Sequence, residues 1–239
     1  MNIGFAGKVI LVAGGTGGLG RAVSLTFLRE GAKVVVTYRQ PEEFAALQGV
    51  AGVDGTSLEG HSVEVTNEVG VGQIVDQIIA EHGRLDAMVN TVGGYAGGVK
   101  LWDLDIKTFE RMLALNLRAG YALARAAIVP MLKQKSGAIV NVAAKAAFDH
   151  AGGASAYAAS KAAALAMIDS LAADAKGNGV RVNSILPSII DTPANRKAMP
   201  EANFATWPNP EDIARVILFL CSDAARVIHG AAIPVYGDS

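Results

Sequence analysis

Short apolar runs alternate with helical patterns along the whole chain. Lys8–Ala13 (KVILVA) is an unbroken apolar stretch of strand length, and Gly18–Glu30 has the spacing of a helix that ends at Gly31. Lys33–Thr37 (KVVVT) predicts a second, β-branched strand. Gln40–Leu58 is poorly patterned, and Ser62–Val65 predicts a third strand. Asn67 is placed to cap a helix that reaches His82, with Gly83 as its stop signal. Leu85–Asn90 predicts a fourth strand, Asp105–Gln134 a long helix and Gly137–Val142 a fifth strand. The alanine-rich run Gly152–Ala175 predicts another long helix. Val180–Leu186 (strand), Pro210–Ser222 (helix) and Ala232–Tyr236 (strand) complete the pattern. Continuous apolar strands joined by helices require a parallel sheet covered on both faces. The expectation is a doubly wound α/β fold of the Rossmann type, with about seven strands in one domain over residues 1–239.

Composition narrows the function classes. A chain of 239 residues that is 51% hydrophobic can bury one large core, and no Pro/Ser-rich linker or charge run divides it. With 21 basic and 22 acidic residues it has no electrostatic footprint for nucleic acid or an acidic membrane. Cys221 is the single cysteine, so neither an intrachain disulfide nor a cysteine metal site is expected. His61, His82, His150 and His229 lack ligand spacing, and no metal is expected. Met1–Lys8 carries no secretory pattern, and no charge-free stretch approaches the roughly 20 residues of a transmembrane helix. A cytoplasmic protein acting on a small molecule is the expectation.

Between the first strand and helix stands Ala13-Gly14-Gly15-Thr16-Gly17-Gly18-Leu19-Gly20. Glycines permit a tight turn and let backbone approach a pyrophosphate, whose charge meets the helix N-terminus. Its position after a strand and before a helix supports dinucleotide binding through Gly14, Thr16, Gly18, Leu19 and Gly20. At the end of the second strand stands Tyr38-Arg39, with no carboxylate before Glu42. The arginine fork suits a 2′-phosphate, so NADP(H) is favoured over NAD(H).

Tyr157 and Lys161 are four residues apart, on one face of the alanine-rich helix. An ammonium beside a phenol favours phenolate and draws the tyrosine pKa below its usual value of about 10, giving a tuned proton donor. The same spacing also occurs in a plain amphipathic helix with a core tyrosine and a solvated lysine.

In chain order, the glycine turn, Asn90-Thr91-Val92-Gly93, Asn116 and Tyr157-x-x-x-Lys161 resemble the short-chain dehydrogenase/reductase family across essentially the whole chain. The resemblance implies an NAD(P)H-dependent oxidoreductase with Tyr157 as general acid. It implies that Lys161 lowers the tyrosine pKa and binds the nicotinamide ribose, and that Asn116 orders a proton-relay water. It also implies that Asn90 and Gly93 line the adenosine side, that Val65 lies near the adenine, and that Pro187, Ile190 and Thr192 belong to a carboxamide-binding segment. Family members assemble through their long helices, so a homodimer or homotetramer is expected, with Ala119, Gly120, Ala122, Ala124, Ala126 and Ala127 permitting close contact.

The sequence departs from the family pattern at Ser188, where a glycine is usual, and at Glu64, where an aspartate is usual. A third departure is larger. The family's catalytic serine lies thirteen residues before the tyrosine, where this chain has Ala144. Losing one such donor from a carbonyl-reducing site costs roughly 3–4 kcal/mol. Lys145 is one candidate substitute; a substrate that needs less help is another explanation. A narrower similarity favours the second. Val92–Gly98, Ala144–Asp149 and above all Asp191–Trp207 are similar to segments of the quinonoid dihydropteridine reductases, which dispense with that serine. Their substrate is a conjugated, already polarised imine. Tyr95, Ala144, Lys145, Met199 and Trp207 are the candidate substrate contacts, with a lid at about 191–209. Two alternatives stay open: a general NADPH-dependent carbonyl or 3-oxoacyl reductase, and a non-catalytic dinucleotide sensor.

Overall fold

In the computed structural model, which describes residues 4–239, the apolar runs pair into one sheet. Its strands are β1 (Val9–Ala13), β2 (Lys33–Tyr38), β3 (Leu58–Ser62), β4 (Ala87–Asn90), β5 (Gly137–Val142), β6 (Val180–Pro187) and β7 (Ala232–Val235). All pairs are parallel and the order is β3-β2-β1-β4-β5-β6-β7. The order reverses between β1 and β4, where ligands of doubly wound sheets sit. There Ala13 is in register with Asn90, and Asn90 with Asn141. Met1, Asn2 and Ile3, the start of the stretch read for a leader, lie outside the described residues.

Alternate strand residues feed two cores. Ile10, Val12, Val34 and Val36 pack with α1 (Gly18–Arg29) and α8 (Pro210–Cys221) through Val23, Phe27, Ile213 and Ile217. Val9, Leu11, Val35 and Ile139 face α3 (Glu68–His82), α5 (Ala119–Gln134) and α6 (Ser155–Ala175). Asn67 caps α3 by accepting from the Gly70 N–H, and Gly83 ends it with φ +73°.

Two expectations need correction. The poorly patterned Gln40–Leu58 contains α2 (Pro41–Ala51) and a 3-10 segment, Gly52–Ser57. Only Leu47 and Ala51 of α2 are buried, so an edge helix left no apolar stripe in the sequence. The third strand is Leu58–Ser62 rather than Ser62–Val65; as an edge strand with only Leu58 fully buried, it lacks a β-branched run. The expected long helix is present and runs without a break from Ile106 to Gln134, with a π turn at Ala114–Arg118 between α4 (Ile106–Leu113) and α5.

The helix Ile106–Gln134 is long and apolar enough to cross a bilayer by length and composition, although, as the sequence reading has it, no charge-free stretch of it approaches roughly 20 residues. Its most apolar window is half buried in the fold, so that character belongs to the core. Ala119, Gly120, Ala122, Ala124 and Ala127 are likewise buried against their own subunit, and α5 exposes Tyr121, Val129 and Leu132 instead.

The glycine turn is held by the core around it. The Gly14 N–H donates to the Thr37 hydroxyl at 2.9 Å, the Thr91 hydroxyl donates to the Ala13 carbonyl at 2.7 Å, and Ser24 donates to the Gly20 carbonyl at 2.8 Å. A Cβ on Gly20 would collide with the Gly14 carbonyl oxygen, which is backbone and has nowhere to move. Gly20→Ala should therefore destabilise the fold by about 3 kcal/mol, seen as a lower denaturation midpoint in urea.

Candidate active site

The first turn of α1 opens at the carboxyl ends of the strands. Gly17 stands at its N-cap with no side-chain cap, and no acidic residue occupies the first turn. Its leading N–H groups therefore face outward with a positive dipole end, a cradle for a pyrophosphate. Gly18 must stay bare because Thr192 is so near that a Cβ would stand 2.8 Å from its methyl. Leu19 is buried beneath the turn, Thr16 is half-buried beside it, and Arg39 is exposed at the end of β2. Val65 is buried just past the end of β3. The Asn90 side chain accepts from the Val92 N–H at 3.1 Å and donates to Asn141 at 2.9 Å, fixing the strand that flanks the cradle. These features fit a dinucleotide.

Beyond the cradle, Tyr157, Lys161 and Asn116 converge. Lys161 is fully buried and its Nζ donates to the Val142 carbonyl at 3.0 Å; burial pushes its pKa down from 10.5 to about 8. Tyr157 is pushed up from 10.0 to about 12, first by burial and then by neighbouring Tyr95, whose ring meets it edge-on at 5.0 Å. This corrects the expected electrostatics. In the protein alone the lysine is turned to a carbonyl of β5, and a dry site favours the neutral phenol. Tyr157 thus keeps its proton at neutral pH and is available to donate it.

Asn116 lies in the π turn with every side-chain group engaged. Its Oδ1 accepts from the Gly94 N–H at 2.9 Å, and its Nδ2 donates to the Gly94 carbonyl at 3.0 Å and to Ser160 Oγ at 2.9 Å. Ser160 Oγ donates in turn to the Tyr157 carbonyl at 2.8 Å. The amide therefore locks the loop after β4 to the tyrosine helix, a positioning task that the sequence reading did not foresee. Gly93 makes this possible, since a Cβ there would lie 3.0 Å from Asn116 Oδ1 and 3.1 Å from Lys161 Nζ.

The sequence pattern of the short chain dehydrogenase family matches residues 8–203. The chain belongs to this family. It is 30% identical to a 3-oxoacyl-[acyl-carrier-protein] reductase of Thermotoga maritima over 97% of both chains. It is 33% identical to D-threitol dehydrogenase of Mycolicibacterium smegmatis, over 97% of this chain and 92% of that one. A short-chain dehydrogenase/reductase structure from Mycobacterium ulcerans superposes with a TM-score of 0.93 at 27% identity, covering 98% of this chain and 90% of the other. A structure of ElxO with NADP bound superposes with a TM-score of 0.91 at 25% identity, over 96% and 97% of the two chains.

This short-chain dehydrogenase has a methyl group where the family pattern has a hydroxyl. Ala144 is buried just past β5. Lys145 does not replace the missing donor: its Nζ lies over the Tyr236 ring at 5.2 Å and 4.0 Å from Asp149. Pro187 ends β6, the departure Ser188 donates to the Tyr236 carbonyl at 2.6 Å, and half-buried Ile190 packs onto the core.

The segment past Ile190 is clasped at its base, where the Asp191 N–H donates to the Pro208 carbonyl at 3.0 Å. Within it Thr192 caps α7 (Pro193–Ala198) by accepting from the Asn195 N–H at 3.2 Å. Arg196 grips Asp191 through two hydrogen bonds of 2.6 and 2.7 Å and lies over the Phe204 ring at 4.9 Å. Trp207 is buried against Phe204, ring centres 5.0 Å apart, so it anchors the segment rather than presenting a face to substrate. Met199 is half-buried and Tyr95 is 68% exposed at the mouth.

Buried Lys161 makes the unliganded fold pH-dependent in a defined sense. Its folded pKa of about 8 lies below the model-compound 10.5, so between those values the unfolded chain binds more protons. Stability rises with pH there. Tyr157, whose pKa is raised from 10.0 to about 12, adds an opposite slope only above pH 10. The melting temperature should therefore climb from pH 8 to 10 more steeply in the wild type than in Lys161→Met, compared by calorimetry across that window.

Proposed function

We propose that this oxidoreductase reduces a flat, conjugated, imine-containing ring of the quinonoid dihydropterin kind. A reduced nicotinamide dinucleotide supplies the hydride when bound. The observation that carries the reading is Ala144: a buried methyl stands where a ketone-reducing member of the family would need a hydroxyl donor. A polarised imine gains less from that donor and needs a proton instead, which the neutral Tyr157 phenol holds. Tyr95, exposed at the mouth and edge-on to Tyr157, offers an aromatic surface to a flat ring. The similarity of Asp191–Trp207 to the dihydropteridine reductases points the same way, with residues 191–209 as the lid over the substrate. Arg39 favours NADP(H). Self-association uses the long helices, on the α5 face carrying Tyr121, Val129 and Leu132.

A second reading, a general carbonyl or 3-oxoacyl reductase, is favoured by the named activities of the relatives. Cofactor oxidation with chemically generated quinonoid dihydropterin, run beside a ketone and 3-oxoacyl panel, separates the two. The pterin should turn over at least a hundredfold faster than any ketone, and the reverse order would overturn the proposal. Tyr157→Phe should abolish turnover while leaving the dinucleotide Kd, followed by fluorescence, within about twofold. Ala144→Ser should raise ketone kcat/KM about a hundredfold by restoring the donor, with little gain on the pterin.

A further inference from the structure

The structure assigns to Glu43 a part in choosing the dinucleotide: we propose that its carboxylate receives the adenosine ribose 2′-hydroxyl and opposes a 2′-phosphate. The inference rests on the reading of the glycine turn as a dinucleotide cradle. Glu43 is not at the end of β2, where a sequence pattern looks for an acidic residue. It reaches the cradle from the first turn of α2. Two contacts hold it there. The Thr16 hydroxyl, in the glycine turn itself, donates to Glu43 Oε2 at 3.0 Å. The next residue, Phe44, stacks on Tyr38 with ring centres 4.9 Å apart and planes 5° from parallel, which fixes the first turn of α2 against the end of β2.

The chemistry at this corner follows from those contacts. Thr16 has one hydroxyl proton, and it is directed to Glu43, so the turn offers an incoming phosphate no side-chain donor there. A hydroxyl of a ribose, by contrast, can donate to the free lone pairs of the same carboxylate. Glu42 and Glu43 both sit in the first turn of α2, where they offset the positive helix end that would attract a phosphate. Arg39, exposed just past the end of β2, carries the opposite charge. Glu43 thus brings a negative charge, and Arg39 a positive one, to the segment that follows β2, the first unfavourable and the second favourable for a dianionic phosphate. Arg39 and Glu43 therefore pull in opposite directions, and the protein should take both dinucleotides with little discrimination.

Titrating the whole protein with NADH and with NADPH, reading the quenching of Trp207 and Trp102 or the nicotinamide emission, gives both Kd values without any substrate. The wild-type ratio should lie within about tenfold of one. Glu43→Gln should tighten NADPH about fivefold and weaken NADH, as expected for removing one partly exposed charge, while Arg39→Gln shifts the ratio the other way. Thr16→Val, which removes the tether and keeps the carboxylate, should move the ratio in the Glu43→Gln direction by a smaller factor. An unchanged ratio in Glu43→Gln, with both dinucleotides still binding, would overturn the assignment of Glu43 alone. Failure of the wild type to bind either dinucleotide would overturn the cradle reading along with it.

Discussion

The molecule depends on how closely the glycine backbone approaches its neighbours at one corner of the sheet. Gly15 lies against Val36 and Ser24, Gly18 against Thr192, and Gly20 against the Gly14 carbonyl. No side chain fits in any of these gaps. The first helix can therefore start directly over the carboxyl end of β1, its leading N–H groups free, while the segment after β6 closes over it from the other side. The glycine turn and the segment after β6 meet there because that turn has no thickness to spare.

The second constraint is dryness. Lys161 is buried with no counter-ion among the described residues, held by the Val142 carbonyl, and Tyr157 is half-buried with the Tyr95 ring against it. Both neutral forms are favoured for the same reason, loss of water around a charge. A lysine with a pKa of about 8 is sensitive to any anion or hydroxyl that enters beside it. The Asn116–Ser160 bridge keeps the tyrosine helix and the β4 loop at fixed separation while that happens. The hydrogen-bond network thus supplies rigidity, and the two titratable groups supply the response.

Much of this was legible in the sequence because it has local causes. Unbroken apolar runs gave the five central strands of the sheet, and Asn67 and Gly83 bounded their helix as their chemistry requires. The edge was illegible for the same reason inverted: Leu58–Ser62 is Leu-Glu-Gly-His-Ser, and α2 buries only two residues. At the site, residue identities could be read but not their partners. The four-residue spacing of Tyr157 and Lys161 puts them on one face, yet Lys161 turns to Val142 on another element, nineteen residues away. Trp207 looked like a substrate contact because it is large and lies in the lid, but only packing reveals that Phe204 and the core already claim it. Thr16 with Glu43 is a contact across 27 residues, which no spacing rule anticipates.

The hydrogen bond from Asp191 to Pro208 fastens the two ends of the residues between them to each other, independently of what those residues are. Between those ends Thr192 and Trp207 are fixed by packing, while no residue of α7 is buried. The exposed positions of α7 can therefore change without strain reaching the parallel strands beneath. The outer surface of this one excursion is thus free to vary while the scaffold beneath it stays as it is.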